Sequence, residues 1–350
     1  VVVEVYVDQS PLNVWFVGGS KRTIGSTHSL ELELCVEDLE QELGVADETQ
    51  TVYKWDCRSE GGYVCNVSDV TGASIHFDKG TFGTDETYYF FVEVLTSGNR
   101  TATATAEVFV SNEAVPFAKI TNHPATRINP DSKFTVEALI IRKDKQTGEV
   151  TSDWTSPSVI DGGFRSGALD KTTNTDLIQI MDASTKKQIH NFVVQEHELA
   201  YPSTYTFDLR AFYTVSPNAV TSYTIEVSVN EPPCSGFFDV DPPFGRVVDN
   251  QFNLFSFGWV DSDLPLRYAF GYMEDSIALV IRSSKLSPSF SGVSLPLGIG
   301  KNYSTIAIAW IYDDLDAYAQ AKQSVAVYPR TYSLIEIVSI TTKSISTALE

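Results

Sequence analysis

The sequence predicts an all-β protein built from three tandem Ig-like β-sandwiches. Three observations predict it. Short runs rich in Val, Ile, Thr, Phe and Tyr recur along the whole chain, separated by Gly, Pro, Asn, Asp and Ser at the spacing of about 8–12 residues that marks sandwich strands and their turns. Extended apolar periodicity of the helical kind is nearly absent. Two polar connectors, Ser111-Asn-Glu-Ala-Val-Pro116 and Asn230-Glu-Pro-Pro233, divide the 350 residues at 113/114 and 232/233, and each resulting piece has the size of one such sandwich.

The strand-like runs follow in order: Val1–Val7, Ser29–Cys35, Thr51–Trp55, Tyr88–Leu95, Thr101–Val110, Lys133–Ile141, Thr204–Tyr213, Ser222–Val229, Gln251–Trp259 and Thr305–Ile311. Thr101-Ala-Thr-Ala-Thr-Ala alternates polar and apolar side chains, which gives a strand one wet and one dry face. Two stretches depart from this rhythm. Val36–Leu43 could form an acidic turn of helix; Asp313–Lys322 reads as a loop before a last hairpin strand, Ala317–Val327. Trp55, Trp154 and Trp259, one per unit, are expected to fill the sandwich cores.

Charge narrows the function classes. Lys plus Arg number 25 and Asp plus Glu 45, a net charge of −20. Residues 1–113 hold 19 acidic and 6 basic residues, hence −13 of that total. A nucleic-acid binder needs a basic face, so nucleic acid is excluded as a partner, and an anionic membrane surface is disfavoured for the same reason. No apolar run approaches the roughly 20 residues of a membrane helix, so no membrane insertion is expected within this segment. The chain opens on Val rather than on Met or a leader peptide, as a processed secreted protein or a piece of a longer chain would.

Four cysteines are present. Cys57 and Cys65 flank a Gly-Gly turn between strand-like pieces, a spacing that suits a hairpin disulfide. Cys35 and Cys234 stay unassigned: they could pair with each other, with a cysteine elsewhere, or remain free. Sequons occur at Asn66, Asn99 and Asn302, all at expected turns or strand ends where a glycan could project. Disulfide and sequons together point to an extracellular or cell-surface location.

A search for catalytic signatures gives little. No HExxH, GxSxG or GxxxxGK[ST] occurs, and Gly298-Ile-Gly-Lys301 is a turn rather than a phosphate loop. Glu196-His197-Glu198 is an isolated tripeptide, read as a solvated loop. No cofactor is expected, with Ca²⁺ the one ion to weigh. Asp239 and Asp241, Asp261 and Asp263, and Asp313, Asp314 and Asp316 place hard oxygen donors near turns. Ca²⁺ needs 6–8 oxygens and no complete ligand set is visible; turn capping on an acidic surface is the alternative reading.

An ordered set of motifs resembles a known family. Pro11–Ile24 (Pro-Leu-Asn-Val-Trp-Phe-Val-Gly-Gly-Ser-Lys-Arg-Thr-Ile), Tyr53-Lys-Trp-Asp-Cys57 with Cys65, Asn230-Glu-Pro-Pro-Cys-Ser-Gly, Val240-Asp-Pro-Pro-Phe-Gly245 and Gly258-Trp-Val-Asp-Ser-Asp-Leu-Pro-Leu-Arg-Tyr-Ala-Phe270 look like the REJ (receptor for egg jelly) module of polycystin-like and protist cell-surface proteins. The last motif is the most specific; 114–232 matches in strand rhythm only. The resemblance implies an extracellular tandem without known catalysis: 1–113 Ig-like, 114–232 fibronectin III-like and 233–330 Ig-like. Two departures stand out. An acidic stretch fills Val36–Glu48. Ser256 and Phe257 occupy the place where the family often carries a cysteine, leaving Cys234 without its local partner. Read physically, Pro232-Pro233 stiffens the start of the third unit, Gly245 suits a positive-φ turn, and Asp261 and Asp263 suit side-chain capping of a turn.

The residues beyond Tyr328-Pro329 form a strand-like tail, 331–350, in which Ser333–Thr342 is apolar and free of Pro and Gly. Such a tail could add a strand to a neighbouring sheet and, repeated head to tail, build an open filament. The sequence therefore reads as a non-enzymatic extracellular structural protein, a glycosylated subunit of a filament or cell-surface coat assembled through its sandwiches and terminal strands. Its expected partner is a second copy of itself, with other surface proteins or glycans as further partners. The alternative is a ligand-binding or adhesion segment of a polycystin-type receptor ectodomain.

Overall fold

A computed structural model describes residues 12–38, 51–67, 70–96, 100–122, 126–142, 148–156, 179–182, 187–274 and 276–331. Among the described residues every regular element is a β-strand, so the protein is all-β. The chain divides into two compact units, Val1–Val229 and Asn230–Glu350. Val1–Val7, Asn99 and the tail beyond Thr331 lie outside the described residues.

Unit 1 contains β1 (Leu12–Phe16), β2 (Lys21–Gly25), β3 (Leu30–Asp38), β4 (Val52–Ser59), β5 (Ser74–Phe77), β6 (Glu86–Leu95), β7 (Thr101–Ser111), β8 (Phe117–Asn122), β9 (Arg127–Ile128), β10 (Phe134–Ile141), β11 (Val150–Thr155), β12 (Gln179–Asp182), β13 (Lys187–Val194), β14 (Ser203–Tyr213) and β15 (Ser216–Val229). The period-2 alternation read from the sequence is what buries them. On β3, Leu30, Leu32 and Leu34 are buried while Glu31 and Glu33 are exposed, and β7 alternates in the same way. Two hydrophobic clusters result. The first draws on β1 to β7, with Trp55, Phe90 and Val108. The second draws on β8, β10, β11 and β13 to β15, with Trp154, Phe192 and Phe207. Each fully buried Phe or Leu contributes about 1.5–3 kcal/mol.

A three-stranded sheet (β1-β3-β5) covers the first cluster and a four-stranded sheet (β12-β13-β10-β8) the second. One eight-stranded sheet, β11-β14-β15-β2-β7-β6-β4 with β9 beside β15, runs across both. Its middle joint is short. β2 pairs antiparallel with β15 through Thr23–Ser222, Arg22–Tyr223 and Lys21–Thr224, and parallel with β7 on its other side. Residues 113/114 thus fall between two cores that share a sheet.

Glycine and a buried arginine make that joint. Gly18 and Gly19 have φ of +83° and +85°, a region that L side chains rarely adopt. A Cβ on Gly19 would lie 1.9 Å from the Thr224 carbonyl oxygen, so the two backbones meet only because no side chain intervenes. Arg22, 5% exposed, donates through Nη2 to the carbonyls of Val17 and Gly19 at 3.0 and 2.9 Å and through Nη1 to Glu31 at 3.3 Å. Its guanidinium lies 5.3 Å from the Tyr223 ring centre, and the Tyr223 hydroxyl donates to the Ala118 carbonyl at 2.7 Å. Burial lowers the proton affinity of this guanidinium, yet an arginine side chain stays charged in proteins; the carbonyls and the ring compensate it.

Unit 2 contains β16 (Phe237–Asp241), β17 (Phe244–Arg246), β18 (Phe252–Phe257), β19 (Arg267–Glu274), β20 (Ile277–Lys285), β21 (Ser289–Val293), β22 (Ser304–Tyr312) and β23 (Tyr318–Tyr328). A three-stranded sheet (β16-β18-β21) and a five-stranded sheet (β17-β23-β22-β19-β20) enclose a cluster that includes Phe252, Leu254, Phe270, Ile311 and Val325. One sequence expectation is corrected here. Gly245 lies within β17 rather than in a positive-φ turn; it is needed because a Cβ would come within 2.8 Å of Asn250 and Phe252. Asp313–Lys322 is the expected loop and hairpin strand: Asp313–Ala317 turns the chain from β22 directly into β23. In the other doubtful stretch, Val36–Asp38 continues β3.

Candidate functional site

Two of the five motif segments that carry the family resemblance, Asn230–Gly236 and Gly258–Phe270, meet in unit 2. β18 ends at Phe257, Gly258 reverses the chain with φ +73°, and Val260 forms a two-way backbone bridge to Cys234, 3.0 Å in each direction. Trp259 turns back to donate its indole N–H to Ser256 Oγ at 2.8 Å. Gly236 leaves room for that ring, since a Cβ there would lie 2.1 Å from it. Ser256 therefore serves as the tryptophan's acceptor, and Cys234 stands exposed with no disulfide partner.

The bridge leads into a carboxylate cluster. Asp261, Asp263 and Asp313 bring carboxylate oxygens within 4.8 Å of one another. Asp261 Oδ1 accepts the Asp263 backbone N–H at 2.7 Å, the capping bond expected of this turn. Asp313 is fully buried, at 0% exposure. Its Oδ2 accepts from Asn230 Nδ2 at 2.6 Å and its Oδ1 from the Ala317 N–H at 2.8 Å. Burial pushes the Asp313 carboxyl above the ordinary aspartate range; the two hydrogen bonds oppose this, and the neighbouring charges of Asp261 and Asp263 add to it. Arg267 donates to the Asp313 carbonyl at 2.9 Å and pairs with Asp316. Of the seven aspartates weighed for Ca²⁺, three converge; Asp239 and Asp241 are exposed on β16, Asp314 is exposed, and Asp316 is engaged by Arg267. Three carboxylates could supply part of a Ca²⁺ shell, with backbone or water oxygens supplying the rest. Asn230 escaped the sequence reading because it lies 83 positions from its partner.

The other expected site residues are dispersed. Cys57 and Cys65 form the hairpin disulfide across a Cα separation of 5.2 Å. Cys35 lies half-buried on β3 as a free thiol, and burial raises its pKa. Trp55 and Trp154 are buried in the two clusters of unit 1, whereas Trp259 is half-buried at the edge of its own. Asn66 and Asn302 are exposed, the latter in the turn before β22. His197 sits in a tight turn at φ +62°.

One arrangement that the sequence hid has the composition of hydrolytic chemistry. Ser152 Oγ and His190 Nδ1 share a 2.8 Å hydrogen bond, with the charge of Asp153 nearby. His190 is 3% exposed, and burial holds its imidazole towards the neutral form. A substrate cannot reach a base enclosed among Trp154 and Phe192, so geometry makes this pair part of the interior.

Paired β-sheets around apolar clusters, a hairpin disulfide and the bridged Cys234–Val260 pair define a chain of Ig-like β-sandwiches. The chain belongs to the REJ domain family, whose profile matches residues 2–350. That membership and the disulfide agree with an extracellular or cell-surface setting. No curated protein matches the chain. Among solved structures it is similar to titin domains I67–I69 (11% identity, 93% of this chain and 100% of that one, TM-score 0.24). It is also similar to a 1.5-MDa bacterial ice-binding adhesin (11%, 92% and 100%, 0.28) and to the human desmocollin-1 ectodomain (13%, 89% and 60%, 0.22). No helix among the described residues is long and apolar enough to cross a membrane.

Proposed function

We propose that the chain is a non-enzymatic structural subunit of an extracellular coat or filament, carrying N-glycans and joined to further copies of itself. The observation that carries this reading is the apolar surface of unit 2. In a chain of net charge −20, Phe237, Phe244, Phe257, Val260, Leu264 and Ile299 are all exposed. Phe237 and Phe257 face each other across β16 and β18 with ring centres 6.0 Å apart. An exposed aromatic pair of this kind, with further exposed apolar side chains on the same unit, supports a contact with another macromolecule. Asn66 and Asn302 would carry the glycans, and the reading needs no cofactor.

Light scattering and negative-stain microscopy of glycosylated 1–350 test it. Assemblies well above the single-chain mass of 38.6 kDa plus glycan are expected. A monomer at every concentration would overturn the reading and leave the alternative, a ligand-binding or adhesion segment of a receptor ectodomain, for which the same apolar surface would be the ligand face.

A further inference from the structure

β20 is an edge whose first four residues lack the usual protection; register shifts beyond Val280 and the charges of Arg282 and Lys285 guard its second half. Among the described residues it pairs with β19 alone. Edge strands in soluble proteins are normally guarded by charge, proline or brevity. Here the first five residues, Ile277-Ala-Leu-Val-Ile281, are all apolar in a strand of nine, and Ile277 and Val280 are 64% and 58% exposed. Among the described residues the outer backbone groups of Ile277–Val280 have no strand partner, and with the flanking apolar side chains they form an acceptor for an extended chain.

We propose that this acceptor takes residues 333–342 of a second copy as an added strand; the inference rests on the structural reading above and gives it a joint. The segment Ser-Leu-Ile-Glu-Ile-Val-Ser-Ile-Thr-Thr is ten residues long, close to the length of β20, and carries five large apolar residues distributed over both faces. The place where the chain leaves unit 2 decides which copy supplies it. Arg246 Nη1 donates to Thr331 Oγ1 at 2.6 Å, and Arg330 pairs with Asp249 at 3.1 Å. Thr331 is therefore held beside β17 and β23, at the sheet edge opposite β20. Returning to its own β20 means crossing at least three strand spacings, about 14 Å, which consumes about four extended residues and with them Leu334 and Ile335. A neighbour's β20 leaves the whole segment available for pairing. Donor and acceptor are different surfaces, so the contact is heterologous and propagates as an open chain.

Two full-length variants test it. Ile277→Lys/Val280→Lys guards the edge at exposed positions, and Ile337→Pro removes a strand N–H from the donor. The proposal expects each variant alone to lose self-association and run as a single chain. An equimolar mixture should give a complex of two chains and no larger, because one variant keeps the donor and the other the acceptor. Fibres that survive the edge substitutions show that the tail docks elsewhere. Loss of assembly with the edge substitutions but not with Ile337→Pro shows that another segment, such as 1–7, occupies β20. A mixture that stays monomeric also overturns the joint. In all three cases the structural reading stands if wild-type 1–350 assembles; a monomeric wild type ends both.

Discussion

The connector at Ser111–Pro116 and the connector at Asn230–Pro233 are both polar, proline-ended breaks between strands, and the chain treats them differently. After the first, the strands return to the sheet already begun. β15 pairs with β2, and Thr221 Oγ1 donates to the Pro116 carbonyl, so two apolar clusters lie under one sheet. After the second, among the described residues, the strands β16–β23 pair within that set, and unit 2 closes on its own core. The difference teaches that a connector's chemistry specifies where a strand stops. Whether a new compact unit starts depends on whether a distant backbone can come close enough to pair, and at the first connector Gly18, Gly19 and Arg22 make that approach.

The largest expected effect comes from breaking that approach. Gly19→Ala places a Cβ against the Thr224 carbonyl at a positive φ and should destabilise unit 1 by about 3 kcal/mol or more. In a denaturant titration its transition moves to lower concentration while that of unit 2 stays in place. Arg22→Met keeps the volume but leaves three carbonyls without this donor; a loss of about 2–3 kcal/mol in the same transition is expected. Asn230→Ala sharpens the comparison from the other side. It strips one donor from a buried carboxylate and should cost unit 2 about 2 kcal/mol, leaving unit 1 unchanged.

The smallest effect has a pH signature. The folded Asp313 carboxyl holds its proton to higher pH than an unfolded one. Its charge therefore costs stability above the folded pKa, and that cost disappears as the pH falls through it. Asp263→Asn removes one of the repelling neighbours. A gain of about 0.5 kcal/mol for unit 2 at pH 7, shrinking at pH 4, is expected from thermal melts, discounted because Asp263 is partly solvated. The same melts with Ca²⁺ or with EDTA should superimpose, since both Asp313 oxygens already accept hydrogen bonds. A Ca²⁺-dependent loss of stability in Asp263→Asn would instead place the ion in the cluster.

Much of the fold was legible because it is written locally. Tyr88–Leu95 reads as a strand from its aromatic and β-branched residues and Thr101–Val110 from the alternation of its first half, and β6 and β7 stand there. The Gly-Gly turn between Cys57 and Cys65 brought the disulfide into reach. What stayed hidden depends on pairs far apart in sequence. Three register pairs join residues 21–23 to 222–224, and nothing in Lys-Arg-Thr-Ile-Gly marks them as a joint. Asp261 and Asp263 were visible as a turn, but Asp313 and Asn230 reach them only through the fold. Gly245 shows the limit of composition: a glycine beside Pro-Pro-Phe looks like a turn, whereas close packing against Phe252 is what requires it.

Native-state hydrogen exchange across the β2–β15 joint tests most directly that Val1–Val229 behaves as one unit. The account predicts that peptides covering 21–25 and 222–224 open together, with the same free energy as β7 and β14 on either side of the first connector, and that Gly19→Ala lowers all of them at once. Independent opening, with 117–229 exchanging while 12–111 stays protected, would contradict it.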